Sequence, residues 1–200
     1  MNFMYFFFQP CYCFQMSFDF ERRSRRSIRL KGFDYSSPGK YYITICTLNR
    51  ECLFGDICKG KMILSTAGKI VHHEWLRTSM VRPGIELDAF VIMPNHLHGI
   101  ISIRLRRGVP LERPVDVGDE NRATRQVAPT LKPSTIGAIL GQFKSNSTKE
   151  IRESVYPGFY WQRNYYEHII RNGSELSQIR KYILENPANW NEDHDNPVNF

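Results

Sequence analysis

Two hundred residues make one good-sized domain with a sizeable core that needs no disulfides. A formal net charge of +7 and an isoelectric point near 9.2 favour a polyanionic partner such as nucleic acid. No segment approaches the roughly 18 apolar residues that span a bilayer, and no basic amphipathic face points to a membrane surface.

Five cysteines, at positions 11, 13, 46, 52 and 58, give an odd number and no C-x-x-C pair, which predicts free thiols, a reducing cytoplasmic setting and no zinc site. The aromatic opening "MNFMYFFFQPCYCFQMSFDF" lacks the basic start and small-residue cleavage pattern of a secretory signal. Residues 1–24 are expected to be a disordered or spurious extension, with Met16 an alternative start. Residues 21–31 carry six basic side chains against one acidic, a solvated arm or a phosphate-contacting one.

The domain proper is expected from about Tyr41, where "YYITICTLN" suits a core strand. Gly60 and the polar "LSTAG" then lead to the helix "KIVHHEWLRTSM", whose Val71 and Trp75 share one face while the adjacent His72 and His73 point apart at its surface or edge. Pro83 and Gly84 end it. "IELDAFVIM" reads as a second strand, Pro94-Asn95 as a tight turn, and "HLHGIISIRL" as a third strand antiparallel to the second. The polar segment 106–133 is too long for a hairpin loop, and reads as a functional flap or a disordered stretch.

A second helix follows, with Ile136, Ile139, Leu140 and Phe143 as its core stripe. Its other face offers Gln142, Lys144, Ser145, Asn146 and Lys149, which suit a phosphate backbone or plain solvent. "YYEHIIR" predicts a fourth strand. Asn172 and Glu175 have capping-box spacing for a last helix through about Glu185, stopped by Pro187. The predicted class is α+β, a ferredoxin-like β-α-β-β-α-β antiparallel sheet with helices on one face and an added C-terminal helix.

Side chains alternate along a strand, so His96 and His98 in "VIMPNHLHGI" face the same way and can bind one divalent metal, or can form a hydrogen-bonded buried pair. On the last helix Leu176, Ile179 and Ile183 form the apolar stripe. Tyr182 and Asn186 stand four apart on its flank, placed to look into a site at the sheet edge or to serve as a packed ring and a C-cap. Glu167 and His168 are candidates for proton handling or structure. Tyr165 and Tyr166 are rival nucleophiles to Tyr182, and Phe159, Tyr160 and Trp161 are candidate stacking platforms or core.

"YYITICTLNRECLFG", "FVIMPNHLHGI", "FYWQRNYYEHIIRN" and "IRKYILENPANW" together resemble the IS200-like single-tyrosine (Y1, HUH) transposases, in particular those associated with repetitive extragenic palindromes (REP). The resemblance runs from about Arg25 to Trp190, which defines an expected catalytic domain over residues 25–190 and a tail over 191–200. It implies that His96 and His98 bind Mg²⁺ or Mn²⁺, that Tyr182 is the nucleophile, and that Asn186 is a third, oxygen-donating ligand. Where simple insertion sequences have glutamine, this chain has asparagine, the same carbonyl on a shorter stem.

The implied reaction is metal-dependent nicking and joining of single-stranded DNA beside a hairpin, through a covalent 5′-phosphotyrosine. Homodimeric and monomeric forms both occur among such relatives, so both stay open. Two other functions stand beside it. One is a single-stranded nucleic-acid-binding protein without cleavage, and the other is a minimal replication-initiator-type nickase, although no Gly-rich phosphate loop of an attached helicase is present.

Overall fold

The computed structural model describes residues 37–104 and 135–199. The extension expected over 1–24, the basic run 21–31, the loop 106–133 and two of the cysteines, Cys11 and Cys13, lie outside the described residues; Cys46, Cys52 and Cys58 are free thiols. Among the described residues no helix is long and apolar enough to cross a membrane.

In chain order the elements are β1 (Gly39–Cys46), β2 (Gly55–Cys58), β3 (Lys61–Leu64), α1 (Thr66–Met80), β4 (Ile85–Ile92), β5 (His96–Ile103), α2 (Ile136–Ser154), β6 (Tyr166–Ile170) and α3 (Gly173–Glu185). The result is an α+β fold. Its main sheet has the order β4-β5-β1-β6, and every neighbouring pair is antiparallel.

The hairpin of β2 and β3 is an element the sequence reading passes over. Its turn is Lys59-Gly60, both with positive φ (50° and 73°), the two-residue geometry that suits the strand twist. Lysine at the first position hides a signal that Asn-Gly would announce. The same region starts α1 earlier than its apolar period does. Ser65 is the N-cap, its Oγ accepting from Gly68 N at 3.1 Å, so "STAG" is the cap and first turn.

Alternation along the central strands sorts side chains into two layers. Tyr41, Ile43 and Ile45 of β1 and Leu97, Ile101 and Ile103 of β5 join Val71 and Trp75 of α1 and Ile139, Leu140 and Phe143 of α2 in the main core. On the other face, Ile100 of β5 packs with Ile170 of β6 and Ile183 of α3. Helices therefore cover both faces, not one as expected. The reason is visible in β5, all eight of whose residues are buried, so its second face also needed a cover.

Gly99 follows His98 in β5 and faces the α1 side of the sheet, paired with Ile43 of β1 and Phe90 of β4. A Cβ there would lie 2.5 Å from Trp75 Cζ2, so only glycine lets the indole seat against the strand. Gly99→Ala is expected to lower the unfolding free energy by about 1–3 kcal/mol through overpacking. Urea denaturation with tryptophan fluorescence as the probe checks this; a midpoint equal to that of the unaltered protein would contradict the packing described.

Candidate active site

The loop after β4 turns at Pro94-Asn95 and returns as β5, placing His96 and His98 on the face covered by α3. Both rings are almost completely buried, and their Nε2 atoms are 3.0 Å apart. Tyr182 of α3 brings its hydroxyl to 3.4 Å from His98 Nε2. Asp193, in the segment after α3, brings Oδ2 to 3.9 Å from His96 Nε2. Asn186 is buried at the end of α3. His96, His98 and Tyr182 therefore converge at the start of β5, an interior strand, with Asn186 within hydrogen-bonding reach of Tyr182.

Each imidazole is oriented by a partner on its other nitrogen. Asn95 Nδ2 donates to the carbonyls of Arg50 (3.0 Å) and Asp195 (2.8 Å), which leaves Asn95 Oδ1 as the acceptor for His96 Nδ1–H at 2.8 Å. The His96 proton is thereby assigned to Nδ1, and its Nε2 lone pair faces the cluster. His98 Nδ1 lies 2.8 Å from both Tyr42 Oη and Thr44 Oγ1. Hydroxyls donate or accept as required. His98 can therefore donate Nε2–H to His96, or carry its proton on Nδ1 and turn a second bare lone pair into the cluster.

With the His98 proton on Nδ1, the two bare Nε2 nitrogens 3.0 Å apart repel unless a cation lies against both. Two further atoms point to the same need: Asn186 Oδ1 and Asp193 Oδ2 are buried and accept no hydrogen bond. Orphaned buried acceptors are costly, and are rare without a function. His96, His98 and Asp193 form a cluster able to hold a metal ion. Asp193 is the site residue that sequence reasoning missed, because no spacing links it to the histidines.

The loop that closes the site is held in an unusual backbone. Asn49 and Arg50 both have positive φ, 53° and 57°. Arg50 pairs with Asp195, fixing the tail that carries Asp193, while its carbonyl orients Asn95. Trp190 approaches the His96 ring with centroids 6.0 Å apart.

Tyr182 is positioned by ionic anchors on its helix. Arg180 donates from Nε and Nη2 to the two oxygens of Asp88 at 2.8 and 2.7 Å, and Lys40 Nζ adds a bond at 3.1 Å. Asp88 lies where the register of β4 against β5 shifts, a bulge that presents it to α3. The paired Arg180 holds the Asp88 carboxyl far below the usual carboxylate range, with Ala89 N and Lys40 helping. At the helix start Asn172 Oδ1 accepts from Glu175 N at 2.9 Å, the predicted cap.

Burial raises the pKa of the Tyr182 phenol, and Asp193 and Asp195 raise it further, while hydrogen bonds from Asn186 and Tyr42 oppose the rise. Among the other candidates, His168 Nε2 pairs with Glu175 Oε1 at 2.5 Å, bracing the start of α3, and Glu167 is buried in β6. Tyr165 packs on the main core, whereas Tyr166 is half-exposed with its ring edge-on to Tyr42 at 6.1 Å. Phe159 and Trp161 are core, and Tyr160 is exposed.

Burial holds His96 down to about 3, with the Arg50 charge adding, and holds His98 well below the usual value, with His96 adding. In the unfolded chain each ring titrates near 6.5. The native state therefore keeps its full advantage above that pH and loses it as pH falls, because only unfolded imidazoles take up protons. For metal-free protein, lowering the pH from about 7.5 to about 5 is expected to cost about 2 kcal/mol per imidazole. Urea titrations of the chain and of His96→Gln measure this; an equal acid loss in both would refute it.

No protein-family model matches the chain. In fold it is similar to the solved structure of a REP-associated tyrosine transposase bound to a REP hairpin, with a TM-score of 0.50 and 19% identity, covering 76% of this chain and 68% of that one. In sequence it is 44% identical over 169 residues to an uncharacterized protein of Haemophilus influenzae, covering 84% of this chain and 91% of the relative. An identity of that size over nearly the full length of both proteins places the chain in one family with the Haemophilus influenzae protein.

Proposed function

We propose that the chain nicks and rejoins single-stranded DNA at hairpin-forming repeats, in a metal-dependent reaction with Tyr182 as nucleophile. The observation that carries this reading is the Tyr182 hydroxyl 3.4 Å from His98 Nε2, with the orphaned buried oxygen of Asp193 3.9 Å from His96 Nε2. A ferredoxin-like assignment belongs to the same reading, supported by the strand order and by α1 and α2 on one face. So does the hairpin substrate, since the transposase of similar fold was solved with a REP hairpin.

The donor set fits a divalent ion. His96, His98 and Asn186 would hold Mg²⁺ or Mn²⁺, with Asp193 as a further oxygen. The hard oxygens suit such an ion, and the neutral imidazoles add nitrogen lone pairs of the kind that ligate divalent metals. When bound, it would offset the charge gathering on the transferring phosphate oxygens.

The chain's own groups do the rest. The Tyr182 oxygen attacks phosphorus and forms a P–O bond as the bond to the 3′ oxygen breaks. The 5′ phosphate stays on tyrosine, the proton lost by the phenol is balanced by the one gained by the 3′ hydroxyl, and attack by another 3′ hydroxyl reverses the step to rejoin a strand. Asn186 and Tyr42 hydrogen-bond the phenolate, against the cost of its burial. The half-exposed ring of Tyr182 leaves it reachable by a strand. Tyr182 and Asp193 meet the histidines of their own chain, which supports a site complete within one monomer.

The full burial of His96 and His98, 0% and 2% exposed, favours a second reading, a nucleic-acid-binding protein that does not cleave. Incubation with end-labelled hairpin oligonucleotides and Mn²⁺, followed by denaturing electrophoresis, separates the two. The unaltered chain is expected to form a covalent adduct, and Tyr182→Phe or chelation to abolish it. Asn186→Ala and Asp193→Ala should slow adduct formation about a hundredfold. Tight binding without any adduct would establish the second reading.

A further inference from the structure

One face of α2 turns away from the core, with Lys144, Ser145, Thr148, Lys149 and Arg152 at helical spacing. Together with residues 160–163 it forms an open groove of about 700 Å³. Its charge is one-sided: Lys144, Lys149, Arg152 and Arg163 line it against the single acid Glu153. Among the described residues no carboxylate forms an ion pair with any of the four cations.

Two of these cations are already oriented. Arg152 Nε donates to the Phe159 carbonyl at 2.8 Å, and its guanidinium lies 3.9 Å over the ring of Tyr160, which is 54% exposed. Lys144 Nζ donates to the carbonyls of Gln162 (2.7 Å) and Asn164 (3.0 Å), which uses two of its three N–H groups. Burial pushes the ammonium down to about 8, so an arriving anion would meet an incompletely solvated cation.

The groove lies close to the candidate active site. Gln162 N donates to the carbonyl of Cys46 at 2.9 Å, and Cys46 is the cross-strand partner of His96. Two strand spacings, about 10 Å, thus separate the groove wall from the first histidine.

We infer that this groove carries the single-stranded flank of the DNA, with phosphates on Lys149, Arg163 and the third N–H of Lys144, and a base stacked on the open face of Tyr160. The inference rests on the nucleic-acid reading above and deepens it. Cations beside an exposed aromatic ring fit an unpaired strand, whose backbone is anionic and whose bases have free faces. A duplex or an acidic protein segment would use the charges but leave the ring idle.

Fluorescence anisotropy in the presence of chelator, so that nothing is cleaved, tests it with a hairpin oligonucleotide bearing a single-stranded flank and the same hairpin without it. Lys149→Ala/Arg163→Ala alters two exposed side chains. It is expected to weaken binding of the flanked hairpin at least tenfold, and to flatten the slope of log affinity against log salt by about 1.4. Tyr160→Ala should weaken it about five- to a hundredfold. If the groove variants bind the flanked hairpin normally, or lose affinity equally for both, the groove is not the strand's track and the DNA reading stands. If the unaltered chain binds neither oligonucleotide, the DNA reading falls and this inference falls with it.

Discussion

Two uncharged imidazoles buried at the start of β5 set the terms for everything packed around them. Removed from water, they resist protonation, and each ring nitrogen needs a partner. Asn95 serves His96 because its own amide is held by the carbonyls of Arg50 and Asp195. Tyr42 and Thr44 serve His98 from the neighbouring strand. The left-handed backbone at Arg50 and the fold of the tail are thus parts of one orienting scaffold.

The helix carrying Tyr182 is attached in a different way. Its only fully buried residue is Ile183, with Leu176 and Ile179 partly covered, so little apolar area holds it to the sheet. Directional contacts make up the difference. The Asp88 bulge grips Arg180 in the turn before Tyr182, and the His168–Glu175 pair braces the first turn. Such contacts fix rotation and register about the helix axis, which is what placing one hydroxyl against one imidazole requires.

Charge is divided sharply across the molecule. The chain as a whole is basic, and four of its cations, Lys144, Lys149, Arg152 and Arg163, line the groove where α2 meets residues 160–163. The candidate active site instead draws in Asp193 and Asp195, whose charges raise the cost of forming a phenolate on Tyr182. An acidic pocket within a basic surface is coherent if the pocket holds a cation and the surface holds a polyanion.

Much of this was legible in residue order, because it depends on short-range periodicity. The alternation of His96 and His98, the apolar stripes of α1, α2 and α3, and the Asn172 cap all follow from side-chain spacing. Two local features escaped. The Lys59-Gly60 turn lacks the usual residue at its first position, and Ser65 starts α1 before any apolar period begins. What the tertiary structure alone decided was which distant groups meet. It put α3 on the face opposite α1 and α2, drew Asp193 beside His96, and turned Asn95 into the anchor of the site. Spacing along a chain determines which side chains share a face, but contact between a tail and a strand some hundred residues apart depends on how all the layers pack.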